Sequence, residues 1–286
     1  MALVTCAELP ELDPDDRAIV APLAAAGVAV DAAVWDNPSI IWAGYDLVVL
    51  RSPWDYVRRR DEFVAWASAV PRLANPAGVV AWNTDKRYLA DFAAAGIPTV
   101  PTEWLGPAHP VTLPSAGDWV IKPAVGAGSL DSGRYDLTDP HHRDLAGAHI
   151  ARLQAAGRLV MLQPYLHAVD SAGETALLYL GGRYSHAIRK GPMLAGPDFG
   201  AEGLYRPEEI TSREPRPAEH ALAERVLAAV PGGPLLYARV DLIPGADGEP
   251  VLVEVELTEP SLFLATSPGA AERFAEAILA RLADHP

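Results

Sequence analysis

The sequence predicts an α/β chain, and three observations carry that prediction. Short apolar runs alternate with helical patterns over residues 2–69. Two glycines, Gly181-Gly182, separate a pair of β-like runs, a hairpin signal. Two more strand-like runs, joined by Gly245-Ala246-Asp247-Gly248, precede a closing helical pattern.

Taken in order, residues 2–5 read as a buried strand. An acidic, Pro-containing loop follows, then a helix over 15–26 that Gly27 can stop. Strands are expected at 28–34 and 45–50, and an amphipathic helix at 58–69. Strands joined through helices in this way form a parallel unit. Ligands of such units gather beyond the carboxyl ends of the strands, where Arg51-Ser52-Pro53-Trp54-Asp55-Tyr56 falls. Asn83-Thr84-Asp85-Lys86 is a polar cap that opens a helix, and Gly96-Ile97-Pro98 ends it. A strand at 119–122 leads into the small-residue loop 123–129. A helix at 148–156 and a strand at 159–162 follow. The hairpin runs occupy 176–180 and 183–189. Residues 191–217, rich in Pro and Gly, read as a long loop and a lid candidate. A helix at 218–230, strands at 235–243 and 251–257, and a helix at 269–283 complete the chain.

Composition narrows the partners. The chain of 286 residues is half hydrophobic, with 21% charged residues and a formal net charge of −14. An acidic surface argues against nucleic acid, whose phosphates call for clustered Lys and Arg. No apolar run approaches the roughly 20 residues of a membrane span. The single cysteine, Cys6, forbids an internal disulfide and reads as a small buried hydrophobe. The first residues lack the basic start of a signal peptide, so a cytoplasmic location is expected.

Four groups of residues suggest chemistry. Glu254 and Glu256 alternate onto one face of a strand, with Asp241 on its neighbour. Oxygen-only ligands of this kind suit Mg²⁺, although a solvent-facing strand edge is the plainer alternative. Lys86 and Lys122 each stand at an element junction. The loop after Lys122, with Gly126, Ala127, Gly128 and Ser129, can offer backbone N–H groups to phosphates. Gln163, Pro164, Tyr165 and Leu166 form a strand edge able to meet an adenine, and Asp170 and Glu174 can accept from ribose hydroxyls. His186, Arg189 and Lys190 form a basic cluster able to neutralise a phosphoryl group in transfer. Arg51 and Asp55 read either as substrate contacts or as a structural ion pair, and Ser52 and Trp54 as readers of a polar substrate end. Arg239 is either a phosphate contact or a partner of Glu254.

Together, in this order, these features resemble the ATP-grasp superfamily over roughly residues 83–265. Its members include D-alanine–D-alanine ligase and glutathione synthetase. The resemblance implies two α+β lobes that close over ATP, behind an N-terminal parallel α/β lobe. It divides the chain into a substrate lobe at 1–84, a central lobe at 85–163 and a C-terminal lobe with the metal site at 164–286. It implies that Lys86 and Lys122 bind the α and β phosphates, that 163–166 bind adenine and that Glu174 contacts ribose. Lys190, with Arg189 beside it, falls where an Arg often meets the γ-phosphate. Asp241 and Glu254 match the metal-binding acids, and Ser261 lies where relatives often touch substrate. Glu256 departs from the usual Asn of a Glu-x-Asn pattern, and Ala176 replaces a frequent Arg.

The stretches RSPWDY, NTDKRYL, GETALLYLGGRYSHAIRKGP and VEVELTEPSLFL are similar to a bacterial branch that includes a cyclo-ligase making D-cycloserine from O-ureido-D-serine. The expected activity is a Mg²⁺- and ATP-dependent ligase of specialised metabolism. It would activate a small carboxylate as an acyl phosphate and pass it to a nitrogen nucleophile, with a homodimer left open. A catalytically silent ATP-binding regulatory protein is the alternative.

Overall fold

The computed structural model describes residues 1–200, 203–205 and 209–284. Their strands form three sheets. The first is parallel: β1 (Ala2–Thr5), β2 (Asp31–Val34), β3 (Val48–Ser52) and β4 (Leu73–Ala74), in the order β2-β1-β3-β4. The second is antiparallel: β5 (Glu103–Leu105), β6 (Asp118–Pro123), β7 (Gly133–Asp136) and β8 (Val160–Pro164), in the order β5-β8-β6-β7. The third, also antiparallel, comprises β9 (Glu174–Leu180), β10 (Arg183–Lys190), β11 (Ile210–Ser212), β12 (Tyr237–Pro244) and β13 (Pro250–Glu256), in the order β11-β10-β9-β12-β13.

Strand periodicity explains how the third sheet is covered on both faces. Ala176, Leu178 and Leu180 of β9 pack into a cluster with Leu3 and Val49 of the first sheet and with Phe274 and Ile278 of the closing helix, Ala270–Ala283. The intervening Leu177 and Tyr179 face the opposite way. They join Tyr88 and Phe92 of the helix Tyr88–Ala94 and Leu222 and Val226 of the helix Pro217–Ala228. Truncating a fully buried anchor such as Phe274 to Ala would cost about 3–5 kcal/mol. Cys6 is buried in the remaining core of the first sheet, beside Leu50 and Phe63.

Several elements differ from the sequence reading. The helix expected at 15–26 is a 3₁₀ turn, Asp16–Ile19, running into a short α-helix, Val20–Ala25. The segment 83–86 does not open a helix. Asn83 closes one, Ala77–Asn83, and the next begins at Tyr88. The helix expected at 148–156 is much longer, Pro140–Ala155. Asp139 caps it by accepting from the His141 N–H, with Pro140 in its first turn. His141 and His142 belong to the start of this helix. The long loop at 191–217 contains β11, which pairs Ile210 with Lys190; its residues 201, 202 and 206–208 lie outside the described residues. Among the described residues no helix is long and apolar enough to cross a membrane.

Beside the third sheet, β13 is met by three other segments. The Leu252 N–H donates to Pro98 O at 2.8 Å, and Leu252 O accepts from the Val100 N–H at 3.3 Å. Asn83 donates to Val255 O and accepts from the Leu257 N–H, both at 2.7 Å. The Tyr88 hydroxyl accepts from the Val255 N–H at 3.2 Å. Asn75, fully buried and in the left-handed region at φ 60°, donates to Tyr237 O and Leu257 O and accepts from the Leu236 N–H. Asn tolerates that backbone region better than most residues.

Candidate active site

A cleft of about 510 Å³ opens among the three sheets, within the size range of small-ligand sites. Its charged end is built on β9, β10, β12 and β13. Register sets Asp241 opposite Glu254 and Arg239 opposite Glu256. Lys190 lies opposite Glu174 across β10 and β9. The Lys190 ammonium stands 2.7 Å from Glu174 and 2.6 Å from Asp241. The Arg239 guanidinium donates to Asp241 at 2.8 Å and also to Glu256. Lys86 reaches in from the turn between two helices, 2.8 Å from Glu254 and 2.7 Å from Gly126 O. All seven of these side chains line the cleft.

Lys122, at the end of β6, also lines the cleft but makes no ion pair or hydrogen bond among the described residues. Burial, and then the charge of Lys86, lowers its pKa, against Glu254 and Glu174. Such a cation is poised to gain from an anionic ligand. The acids tell the complementary story. Burial pushes Glu174 up to about 7, Asp241 adding to the effect and Lys190 opposing it. Burial also pushes Glu256 upward, with Glu254 and Asp241 adding and Arg239 opposing. Asp241 behaves differently: burial would raise it, yet Arg239 and Lys190 hold it well below the usual carboxylate range.

Among the described residues no three His, Cys, Asp or Glu groups form a cage able to hold a metal ion by themselves. The set Asp241, Glu254 and Glu256 thus differs from a dedicated three-ligand cage, because Arg239, Lys190 and Lys86 already engage its oxygens. The donors nevertheless fit Mg²⁺, which takes one or two carboxylates and completes its shell with phosphate oxygens and water.

The remaining candidates divide. Gly126, Ala127, Gly128 and Ser129 line the cleft beside the lysines. Gly128, at φ +59°, could carry no Cβ without striking the Tyr205 backbone at 2.5 Å. Gln163, Pro164, Tyr165 and Leu166 line the same cleft, as do Trp54 and Ser261. The Arg134 guanidinium covers the Tyr165 ring at 3.7 Å.

Six candidates do not line it. Arg51 is fully buried; it pairs with Asp16 at 2.9 Å and donates to Pro260 O. The Ser52 hydroxyl is spent on Thr5 at 3.1 Å. Asp55 accepts from Trp35 Nε1 at 2.8 Å and from Arg59 at 3.0 Å. Arg51 and Asp55 are thus each in a structural pair, but not with one another. His186 donates to Leu262 O at 2.9 Å beneath the sheet. Arg189 alternates with Lys190 to the opposite face of β10, where it donates to Ala172 O at 3.1 Å. The Asp170 carboxylate is taken by the Tyr165 hydroxyl and Arg134.

Several cleft residues escaped the sequence reading, among them Asp13, Asp15, Tyr56 and Glu259. Tyr56 and Glu259 both line the cleft, where the Tyr56 hydroxyl lowers the Glu259 pKa against the effect of burial. Glu259 occurs in the turn just past β13, and its spacing to the other acids carries no motif. Only the fold reveals it.

Comparison with known proteins adds a lineage to this geometry. Residues 1–75 match the family described as the N-terminal domain of D-cycloserine synthetase DcsG. The chain is 39% identical, over 304 aligned positions, to the cycloserine biosynthesis protein DcsG of Streptomyces lavendulae, covering 99% of this chain and 98% of that one. The crystal structure of D-cycloserine synthetase DcsG matches with a TM-score of 0.85 and 37% identity, over 98% of this chain and 99% of that one. An ATP complex of D-alanine–D-alanine ligase from Bacillus anthracis shares the fold, with a TM-score of 0.62 at 15% identity, over 99% of this chain and 96% of that one.

Proposed function

The chain belongs to the D-cycloserine synthetase family of ATP-grasp ligases, and from that membership we propose that it is an ATP-dependent ligase that closes a small amino-acid-like substrate, of the O-ureido-D-serine type, onto its own nitrogen. The observation that carries this reading is the charged end of the cleft. There Lys122, without an ion pair among the described residues, faces a set of carboxylates and cations with oxygen donors to spare.

Residues 163–166 would hold the adenine of ATP, and Lys86, Lys122 and the loop 126–129 would hold its phosphates. Asp241, Glu254 and Glu256 are the residues that would hold Mg²⁺, which supplies charge neutralisation at the phosphates when bound. Phosphoryl transfer needs little beyond positioning and electrostatic stabilisation, so no protein nucleophile is called for. Lys122 and Lys190 meet the charge that moves with the γ-phosphoryl group to the substrate carboxylate. Arg239, fixed on Ser261 O at 3.0 Å, orients the acids. Trp54 and Ser261 border the substrate. The acyl phosphate is sensitive to water, and Leu204 and Tyr205, which line the cleft near Gly128, help to exclude it. This reading requires small-molecule partners only.

The test is release of ADP and phosphate with Mg²⁺ and a panel of amino acids that includes O-ureido-D-serine, comparing the wild type with Glu254→Ala. Turnover should depend on one panel member and fall by about 10²–10³-fold or more in the variant. ATP that neither binds nor turns over with any member would sink the ligase reading.

A further inference from the structure

Besides the place of Trp54 on the cleft wall, the segment 51–56 bears on the cleft in a second way. Three of its side chains converge on the turn that follows β13. Arg51 donates to Pro260 O, Trp54 Nε1 donates to Glu259 O at 3.0 Å, and the Tyr56 hydroxyl faces the Glu259 carboxylate closely enough to lower its pKa. Tyr56 keeps 3% of its exposure and Glu259 9%. A turn gripped at two successive carbonyls is built to aim the side chain it carries. Glu259 points it into the cleft.

We propose that Glu259 is the proton acceptor for the nitrogen nucleophile in the second half of the reaction. The proposal rests on the ligase reading above. The nitrogen lone pair attacks the acyl carbon and a C–N bond forms. The bond from that carbon to the phosphate oxygen breaks, its electron pair leaving with phosphate. The N–H proton passes to the Glu259 carboxylate.

Its neighbours suit the role. Of the cleft acids from Asp241 to Glu259, the other three are held in ion pairs, by Lys190 and Arg239, by Lys86 and by Arg239. Glu259 makes no ion pair among the described residues. The groups that bear on it are Tyr56, Lys86, Glu254 and Arg239. Burial pushes Glu259 up to about 7 and the charge of Glu254 adds to this, while the Tyr56 hydroxyl, Lys86 and Arg239 pull it down. A base poised near the working pH is the efficient one.

Glu259→Gln preserves the shape and the Tyr56 contact and removes the proton acceptor. Two products are followed: the ring-closed product, and the hydroxamate formed when added hydroxylamine intercepts the activated carboxyl. The ring-closed product should form about 10²–10⁴-fold more slowly, with KM within a few-fold, while ATP-dependent hydroxamate persists at the wild-type rate. The rise of kcat with pH should vanish. Tyr56→Phe, a milder change, should move that rise to higher pH, because the lost hydroxyl had lowered the Glu259 pKa. Equal loss of both products in Glu259→Gln would mark a structural role and overturn the proposal. So would unchanged ring closure, or a pH profile unmoved in Tyr56→Phe. A wild type that yields no hydroxamate with any panel substrate fails earlier, at the ligase reading itself.

Discussion

Two regions of this chain each carry four charged residues and behave oppositely. In 51–59 the charges at Arg51, Asp55 and Arg59 are matched by partners outside the cleft, Arg51 by Asp16, and Asp55 and Arg59 by one another. Along β12 and β13 the acids converge on the cavity, share cations, and are pushed upward at Glu256 by burial and by one another. Position beyond a parallel strand is therefore a weaker guide to ligand contact than local charge balance. Where partners saturate a side chain, it holds the protein together. Where carboxylates crowd a cavity beside a cation left unpaired, a ligand completes the arrangement.

The comparison can be broken at its strongest point first. Arg51→Ala should lower the unfolding free energy by about 3–5 kcal/mol in a urea titration, because Asp16 would be left as a buried charge without its cation. A loss under about 1 kcal/mol would mean that the pair is not what holds this region. Lys122→Met sharpens the other side. It should reduce kcat/KM by about 10²–10³-fold, or roughly 3–4 kcal/mol of transition-state stabilisation, with little change in Tm. A large fall in Tm with modest kinetic loss would place Lys122 with Arg51. The smallest effect is expected for Asp55→Asn. The pair it weakens with Arg59 is partly exposed and worth about 0–1 kcal/mol, and KM should stay unchanged. A tenfold rise in KM would restore the segment to substrate recognition.

Much of this was legible in the sequence where regular spacing and strong patterning coincide. The alternation of Glu254 and Glu256, the cleft-facing Lys86 and Lys122 at element junctions, and the hairpin at Gly181-Gly182 all depend on near neighbours in the chain. What could not be read depends on distant partners. Arg51 finds Asp16 35 positions earlier and Pro260 209 positions later. Glu259 acquires its position from Arg51 and Trp54, which hold the carbonyls of Pro260 and Glu259 from far earlier in the chain. Strands of two to four residues, such as β4, β5 and β7, are too short to show a period. His186 and Lys190 do share strand parity, yet the chain around Leu262 claims the imidazole before the cleft can.

The segments seated along β13 have a consequence for how this protein behaves in a crowded cell. β13 is an outermost strand, and an uncovered outermost strand is an open template for any passing chain with β propensity. Here the N–H and C=O groups of Leu252, Val255 and Leu257 are already answered, by 98–100, by Asn83 and Tyr88, and by Asn75. Two asparagine side chains thus do what a neighbouring strand would otherwise do, without extending the sheet. Loss of either amide would expose part of a sticky margin, so Asn75→Ala or Asn83→Ala should betray itself as turbidity on warming before it appears as lost catalysis.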